Sequence, residues 1–224
     1  MSHKEKNIFD FKVAGINYKK TDSSTRGAFA IGPEQYTRIL DKAAAKGNYN
    51  FFILSTCNRT EIYGLAENIN ELMQLLCSET EGSYETFSEI AYTKKGWDAL
   101  EHLLCVGAGL DSQILGDHEI LGQIKNAAKK AKEHGTVCPF LERVVNAVLQ
   151  SSKAIKTRTQ ISGGTVSVSF AAIRYLQEHI EDTNQIHILL YGTGKIGRNT
   201  CKNLVDYLST QNITLINITS ALAS

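Results

Sequence analysis

No C-x-x-C pair occurs in this chain, and its five cysteines, Cys57, Cys77, Cys105, Cys138 and Cys201, are odd in number and widely spaced. That pattern argues against a disulfide framework and against a structural zinc site, predicts no metal, and fits a reducing compartment. Met1 to Asp10 lacks an apolar stretch of signal-peptide length, and no apolar run approaches a membrane span. The expectation is a soluble, cytoplasmic protein without membrane contact. An excess of one charge is lacking too: 24 Lys plus Arg stand against 23 Asp plus Glu, a net charge of +1, so no global field argues for nucleic acid or membrane.

What is present is enough apolar material, 42% of 224 residues, for one complete domain and a second small one. Ile8 to Tyr18 reads as a strand. Gly32-Pro33-Glu34 opens a helix carrying Tyr36, Ile39, Leu40, Ala43 and Ala44, and Gly47 stops it. Two strands, Tyr49 to Leu54 and Ile62 to Leu65, flank a polar turn, and short helices follow near Glu71 to Cys77 and through Trp97, Leu100, Leu103 and Leu104. Beyond Asp117 the helices lengthen. Ile120, Leu121, Ile124, Ala127, Ala128 and Ala131 keep one face; after Pro139, Leu141 to Ile155 keep another for some five turns, which reads as a connecting helix. Gly163-Gly164 breaks the pattern, a helix covers Val166 to Ile180, and Ile186 to Tyr191 is an apolar run of buried-strand type. The chain is therefore expected to be α/β: an α+β domain with a small sheet over residues 1–160, then an incomplete Rossmann-like βαβ unit over 161–224.

Three features carry chemistry. Cys57 stands in Ser55-Thr56-Cys57-Asn58-Arg59-Thr60-Glu61, on a turn at the rim of the sheet. Arg59 two residues on would favour the thiolate, and Glu61 four on would fix the arginine or read a substrate amine; the alternative is an inert core cysteine beside a turn salt bridge. Gly192-Thr193-Gly194-Lys195-Ile196-Gly197 fits G-x-G-x-x-G between an apolar strand and a helix, with a second strand at Ile213 to Ile218, the context a dinucleotide loop requires. Neither an acidic residue nor an arginine follows that second strand, so NAD and NADP are not distinguished. His102 lies within an apolar helix, as a satisfied structural residue or, given a nearby thiolate, as a general acid or base. Finally, from Lys125 to Arg158 eight Lys and Arg face only Glu133 and Glu142; eight minus two is +6, leaving −5 elsewhere. This is either a phosphate-backbone surface or an ordinary solvated helix face.

STCNRTEIYG at Ser55 to Gly64, GLDSQILGDHEILGQIKNA at Gly109 to Ala127, TVSVSFAA at Thr165 to Ala172 and the Gly192 loop together resemble the glutamyl-tRNA reductases, which begin tetrapyrrole synthesis. The resemblance implies a catalytic domain, an NADPH domain and, on a spinal helix, a C-terminal dimerisation domain that this chain lacks. It implies that Cys57 attacks the ester joining glutamate to tRNA(Glu) and that His102 is important for activity. Thr56, Asn58, Arg59, Ser112, Asp117, His118, Glu119 and Gln123 fall on substrate-contact positions, and Gly192 to Gly197 on the NADPH loop. A thioester is a better hydride acceptor than an ester because sulfur donates weakly into the carbonyl, and reduction through a thiohemiacetal would release glutamate-1-semialdehyde. Implied partners are glutamyl-tRNA, a second subunit of the full-length homodimer, and the downstream aminomutase. The family's G-I-N-H-K-T-A-P-V-x-x-R-E string appears here with Tyr18 for histidine, Asp22 for proline and Gly27 for glutamate, keeping Arg26; Ile218 replaces an arginine. Read as C-terminally shortened, the chain has an alternative role as a non-reducing tRNA-binding or regulatory fragment that at most hydrolyses glutamyl-tRNA.

Overall fold

The computed structural model describes residues 7–47, 49–113, 115–117, 119–159, 168–208, 210 and 212–217. It divides into two compact units, Met1–Ile161 and Ser162–Ser224.

In the first unit a single 3₁₀ turn at Ile8–Asp10 leads into β1 (Phe11–Asn17). Next come α1 (Ser23–Ala28) and α2 (Pro33–Lys46), then the hairpin β2 (Asn50–Ser55) and β3 (Arg59–Leu65). Helices α3 (Ile69–Cys77) and α4 (Tyr84–Ile90) precede an edge strand, β4 (Tyr92–Lys95). Three helices complete the unit: α5 (Gly96–Gly107), α6 (Glu119–Glu133) and α7 (Pro139–Arg158). The sheet is antiparallel, in the order β2-β3-β1-β4. α3 and α5 pack on its central strands, and α6 on β2.

The burial pattern follows from composition. Phe11, Val13, Ile16, Phe51, Phe52, Ile62 and Tyr63 are buried with Ile39, Leu40, Leu72, Leu103, Ile124 and Val148 in one core. Sequestering such side chains at roughly 25 cal/mol per Å² is the main driving term for this unit. β2 is an edge strand, but its outward N–H groups are taken: Phe51 N donates to Thr136 O at 2.8 Å and Ile53 N to the Tyr36 hydroxyl at 3.1 Å. That covers an edge which would otherwise template association.

Three elements escape the periodicity argument. α1 is short and polar, capped by the Asp22 carboxylate accepting from Thr25 N at 2.7 Å. α4, capped by Ser83, has a single buried residue, Phe87. β4 is largely exposed and carries no alternation. Trp97, read as part of the apolar face of α5, is instead 64% exposed; the buried side of that helix is Ala99, Leu103 and Val106.

The second unit contains α8 (Val168–His179), β5 (Ile188–Tyr191), α9 (Lys195–Tyr207) and β6 (Ile213–Ile216), with β5 and β6 parallel. Its core is Ile173, Leu204 and Leu208, flanked by Leu176, Ile188 and Ile213. β5 does not meet the expectation of burial on both faces: Leu189 and Tyr191 lie on an exposed face. Val205, next to the buried Leu204, is exposed as well. The Gly163-Gly164 break and Ile218 lie outside the described residues.

Candidate functional site

Register decides what β3 does. With a period of two, Arg59, Glu61 and Tyr63 project to one face. Glu61 stands opposite Gly15 of β1, and Gly15 in turn opposite Tyr92 of β4. A Cβ on Gly15 would lie 2.5 Å from Glu61 Cγ and 2.8 Å from Thr60 O. The bare glycine leaves room for the Glu61 side chain and for Tyr92 to reach across β1.

Glu61 is wholly buried and accepts from four side chains. Arg59 donates through a guanidinium nitrogen at 3.0 Å, His102 Nε2 lies at 2.7 Å, Tyr63 donates its hydroxyl at 2.6 Å, and Tyr92 donates a second hydroxyl. Burial by itself raises a carboxyl's pKa, but the His102 hydrogen bond and the Arg59 charge more than reverse it, holding Glu61 at about 2. The phenols respond oppositely: burial, then the Glu61 charge, push both Tyr63 and Tyr92 well up. A carboxylate only accepts, so His102 presents Nε2–H to it and keeps Nδ1 as the ring nitrogen able to act as acid or base. The ring is packed against Tyr92 edge-on at 5.3 Å and against Tyr63 at 6.3 Å.

Arg59, 1% exposed, also binds Asp111, at 3.1 Å to its carboxylate and again to its backbone oxygen, and Lys19 bridges the same carboxylate. So Glu61 fixes the arginine, one of its two expected roles. Its lone pairs are engaged with protein donors rather than open to a substrate amine. Arg59 is committed to two carboxylates, so its guanidinium is engaged within the buried network.

Cys57 itself is exposed, which excludes the inert core reading. Its turn is clamped from several sides. Thr56 N donates to Arg59 O at 2.8 Å, and the Thr56 hydroxyl accepts from Asn58 N at 3.1 Å and Arg59 N at 3.2 Å. Tyr18 N donates to Asn58 O at 2.9 Å, and Arg26 Nε to Cys57 O at 3.2 Å. Arg26, through α1, is thus the arginine that touches the cysteine's own backbone.

Ser112 follows Asp111 and is half-buried. Asp117 accepts from Glu119 N at 2.9 Å, which starts α6. Gln123, one turn on and exposed, lines a groove of about 290 Å³ beside Ser55. The fold therefore brings Arg59 and His102 together on Glu61 and Arg59 onto Asp111, next to Ser112 in the chain, keeps Thr56 and Asn58 in the Cys57 turn, and sets Gln123 beside Ser55 at the turn end of the hairpin. His118 lies outside the described residues. Missed by motif reading were Tyr63, Tyr92 and Gly15, since only strand register shows that they converge.

In the second unit Gly192 takes φ +99° and its N–H donates to Ile216 O at 2.7 Å, tying the loop to β6. A Cβ at Gly197 would collide with the Gly192 carbonyl, whereas one at Gly194 would meet nothing. This is the division of labour a dinucleotide loop needs: close helix–strand packing at the last glycine and an open approach at the middle one. α9 begins at Lys195 with no side-chain cap, and the buried Thr193 hydroxyl has no hydrogen-bond partner among the described residues. Free N–H groups at a helix start and an unpartnered hydroxyl fit a pyrophosphate. Ile196 is exposed on the first turn. Among the described residues no group of three or more His, Cys, Asp or Glu could hold a metal, and no helix is long and apolar enough to cross a membrane.

A small antiparallel sheet backed by helices, with an exposed cysteine on a clamped turn and a buried Arg–Glu–His network on the strand that follows it, defines a mixed helix-and-sheet domain, and a parallel strand–helix–strand unit with a glycine loop comes after it in the chain. The chain belongs to the glutamyl-tRNA reductase family: the family profile "Glutamyl-tRNAGlu reductase, N-terminal domain" matches residues 14–159. It is 50% identical over 209 residues to a glutamyl-tRNA reductase of Christiangramia forsetii, covering 93% of this chain and 50% of that protein. To glutamyl-tRNA reductase 2 of Flavobacterium johnsoniae it is 49% identical, with 93% and 48% covered. The solved glutamyl-tRNA reductase from Methanopyrus kandleri superposes with a TM-score of 0.63 at 26% identity, covering 94% of this chain and 50% of that one. The chain spans about half the length of the curated relatives it matches.

Proposed function

We propose that this chain carries the acyl-accepting half of glutamyl-tRNA reduction, the first step of tetrapyrrole synthesis, with Cys57 as nucleophile. The observation that carries the reading is an exposed thiol on a backbone-clamped turn whose root is the Glu61 network. The Cys57 sulfur attacks the ester carbonyl joining glutamate to the terminal ribose of the tRNA; the C–O bond breaks, the ribose oxygen takes a proton, and a glutamyl thioester remains on the protein. His102 Nδ1 is assigned to take the Cys57 thiol proton as the sulfur attacks and to return it to the ribose oxygen as the C–O bond breaks, with Glu61 fixing the ring. Thr56, Asn58, Ser112, Asp117, His118, Glu119 and Gln123 contact the substrate, while Arg59, engaged by Glu61 and Asp111, positions the strand that follows the turn.

Gly192, Thr193, Gly194, Lys195, Ile196 and Gly197 would hold NADPH, whose chemistry is to supply a hydride for reduction of the thioester to glutamate-1-semialdehyde. The open Gly194, the uncapped start of α9 and the unpartnered Thr193 hydroxyl support that assignment. On this reading the protein is cytoplasmic, the full reductase is a homodimer, and the aldehyde passes to an aminomutase.

Mass spectrometry of the acid-quenched protein after mixing with glutamyl-tRNA tests the reading. A glutamyl adduct is expected on the wild type and none on Cys57→Ala; an adduct that survives Cys57→Ala, or no adduct at all, overturns it.

A further inference from the structure

The eight basic residues between Lys125 and Arg158 are not equivalent. Lys132 pairs with Glu142 at 2.5 Å and Lys129 with Glu133 at 3.8 Å, while Lys130 donates to Pro33 O at 2.6 Å and sits 5.4 Å over the Tyr36 ring. Lys125, Lys153 and Lys156 have no hydrogen-bond or ion-pair partner within the hydrogen-bond and salt-bridge distances among the described residues, and all three line one groove of about 490 Å³ between α6 and α7. Lys153 and Lys156, three apart on α7, share a face, and Lys125 stands across on α6. Gly122 keeps the wall low, since a Cβ there would meet nothing. Lys156 is half-buried, and that burial lowers its pKa against the opposing pull of Asp117. A desolvated ammonium with no bonded partner is costly unless an anion reaches it.

We propose that this groove takes the phosphate backbone of the tRNA, resting on the function proposed above. Three cations in one concavity suit a curved, repeating anion, and no aromatic side chain lines the groove to stack a base. Asp117, one of the candidate substrate-contact residues, accepts from Glu119 N at the start of α6 and acts electrostatically on Lys156 of the groove.

Fluorescence anisotropy of labelled, deacylated tRNA(Glu), titrated with the full chain over a range of salt concentrations, tests this. The triple variant K125A/K153A/K156A should weaken binding about tenfold or more near 0.1 M salt and flatten the log K against log [salt] slope by about 2, since each phosphate contact contributes roughly 0.7–0.9. The corresponding triple arginine variant should restore both, and K129A/K132A, which removes lysines already paired, should change neither by comparable amounts. Wild-type affinity and slope in the triple alanine variant overturn the groove, as does equal loss in the arginine variant, which would point to packing rather than charge. Tight tRNA binding without a Cys57 adduct would defeat the chemistry while leaving the groove standing; no tRNA binding by the wild type overturns both.

Discussion

Glu61 shows what a single residue does here. Its folded pKa of about 2 lies below the ordinary 4.5, so the stability it contributes is present above pH 4.5 and is lost as the pH falls from there toward 2. Glu61→Gln should lower stability at neutral pH by about 3–5 kcal/mol, because Arg59 then keeps only Asp111 in a buried site. Urea midpoints measured across the acid range should be flatter for the variant than for the wild type; an equally steep acid loss would place the sensitivity elsewhere. The cysteine was recognisable from its neighbours in sequence. The commitment of Arg59 was not, because Asp111 is 52 residues away and only folding brings it to the guanidinium.

At the scale of elements, the site is a product of strand pairing. Gly15 is the position where β1 yields space to Glu61 from one side and to Tyr92 from the other. Gly15→Ala should cost about 1–3 kcal/mol by overpacking and should reduce acylation of Cys57 more than its reaction with a small alkylating agent, since it displaces the network beneath the turn rather than the exposed thiol. Equal loss of both rates would mean that the turn itself had moved. Long amphipathic helices such as α2 and α6 were legible because apolar residues recur at helical spacing over 14 and 15 residues. α1, α4 and β4 were not: they are six, seven and four residues long and bury little, so their form comes from caps and from pairing with β1.

For the whole molecule, the candidate acyl site and the glycine loop belong to separate compact units, each with its own core. Gly197→Val would drive a side chain into the Gly192 carbonyl. It should abolish NADPH binding in a fluorescence titration while the glutamyl adduct on Cys57 still forms. Parallel loss of both would show that the two units depend on one another.

The sequence by itself determined the family, the cysteine turn between two strands, the glycine loop and the long helices, since each rests on residues adjacent in the chain or repeated at a fixed period. Only the tertiary structure decided how the polar residues are employed. Arg59 is a buried strut between two carboxylates, Arg26 holds the cysteine's backbone, and Tyr63, Tyr92 and His102 meet on one carboxylate. The physical reason is that a buried charge must collect donors from whatever elements pack around it, and strand register and helix placement, rather than local sequence, set which donors those are.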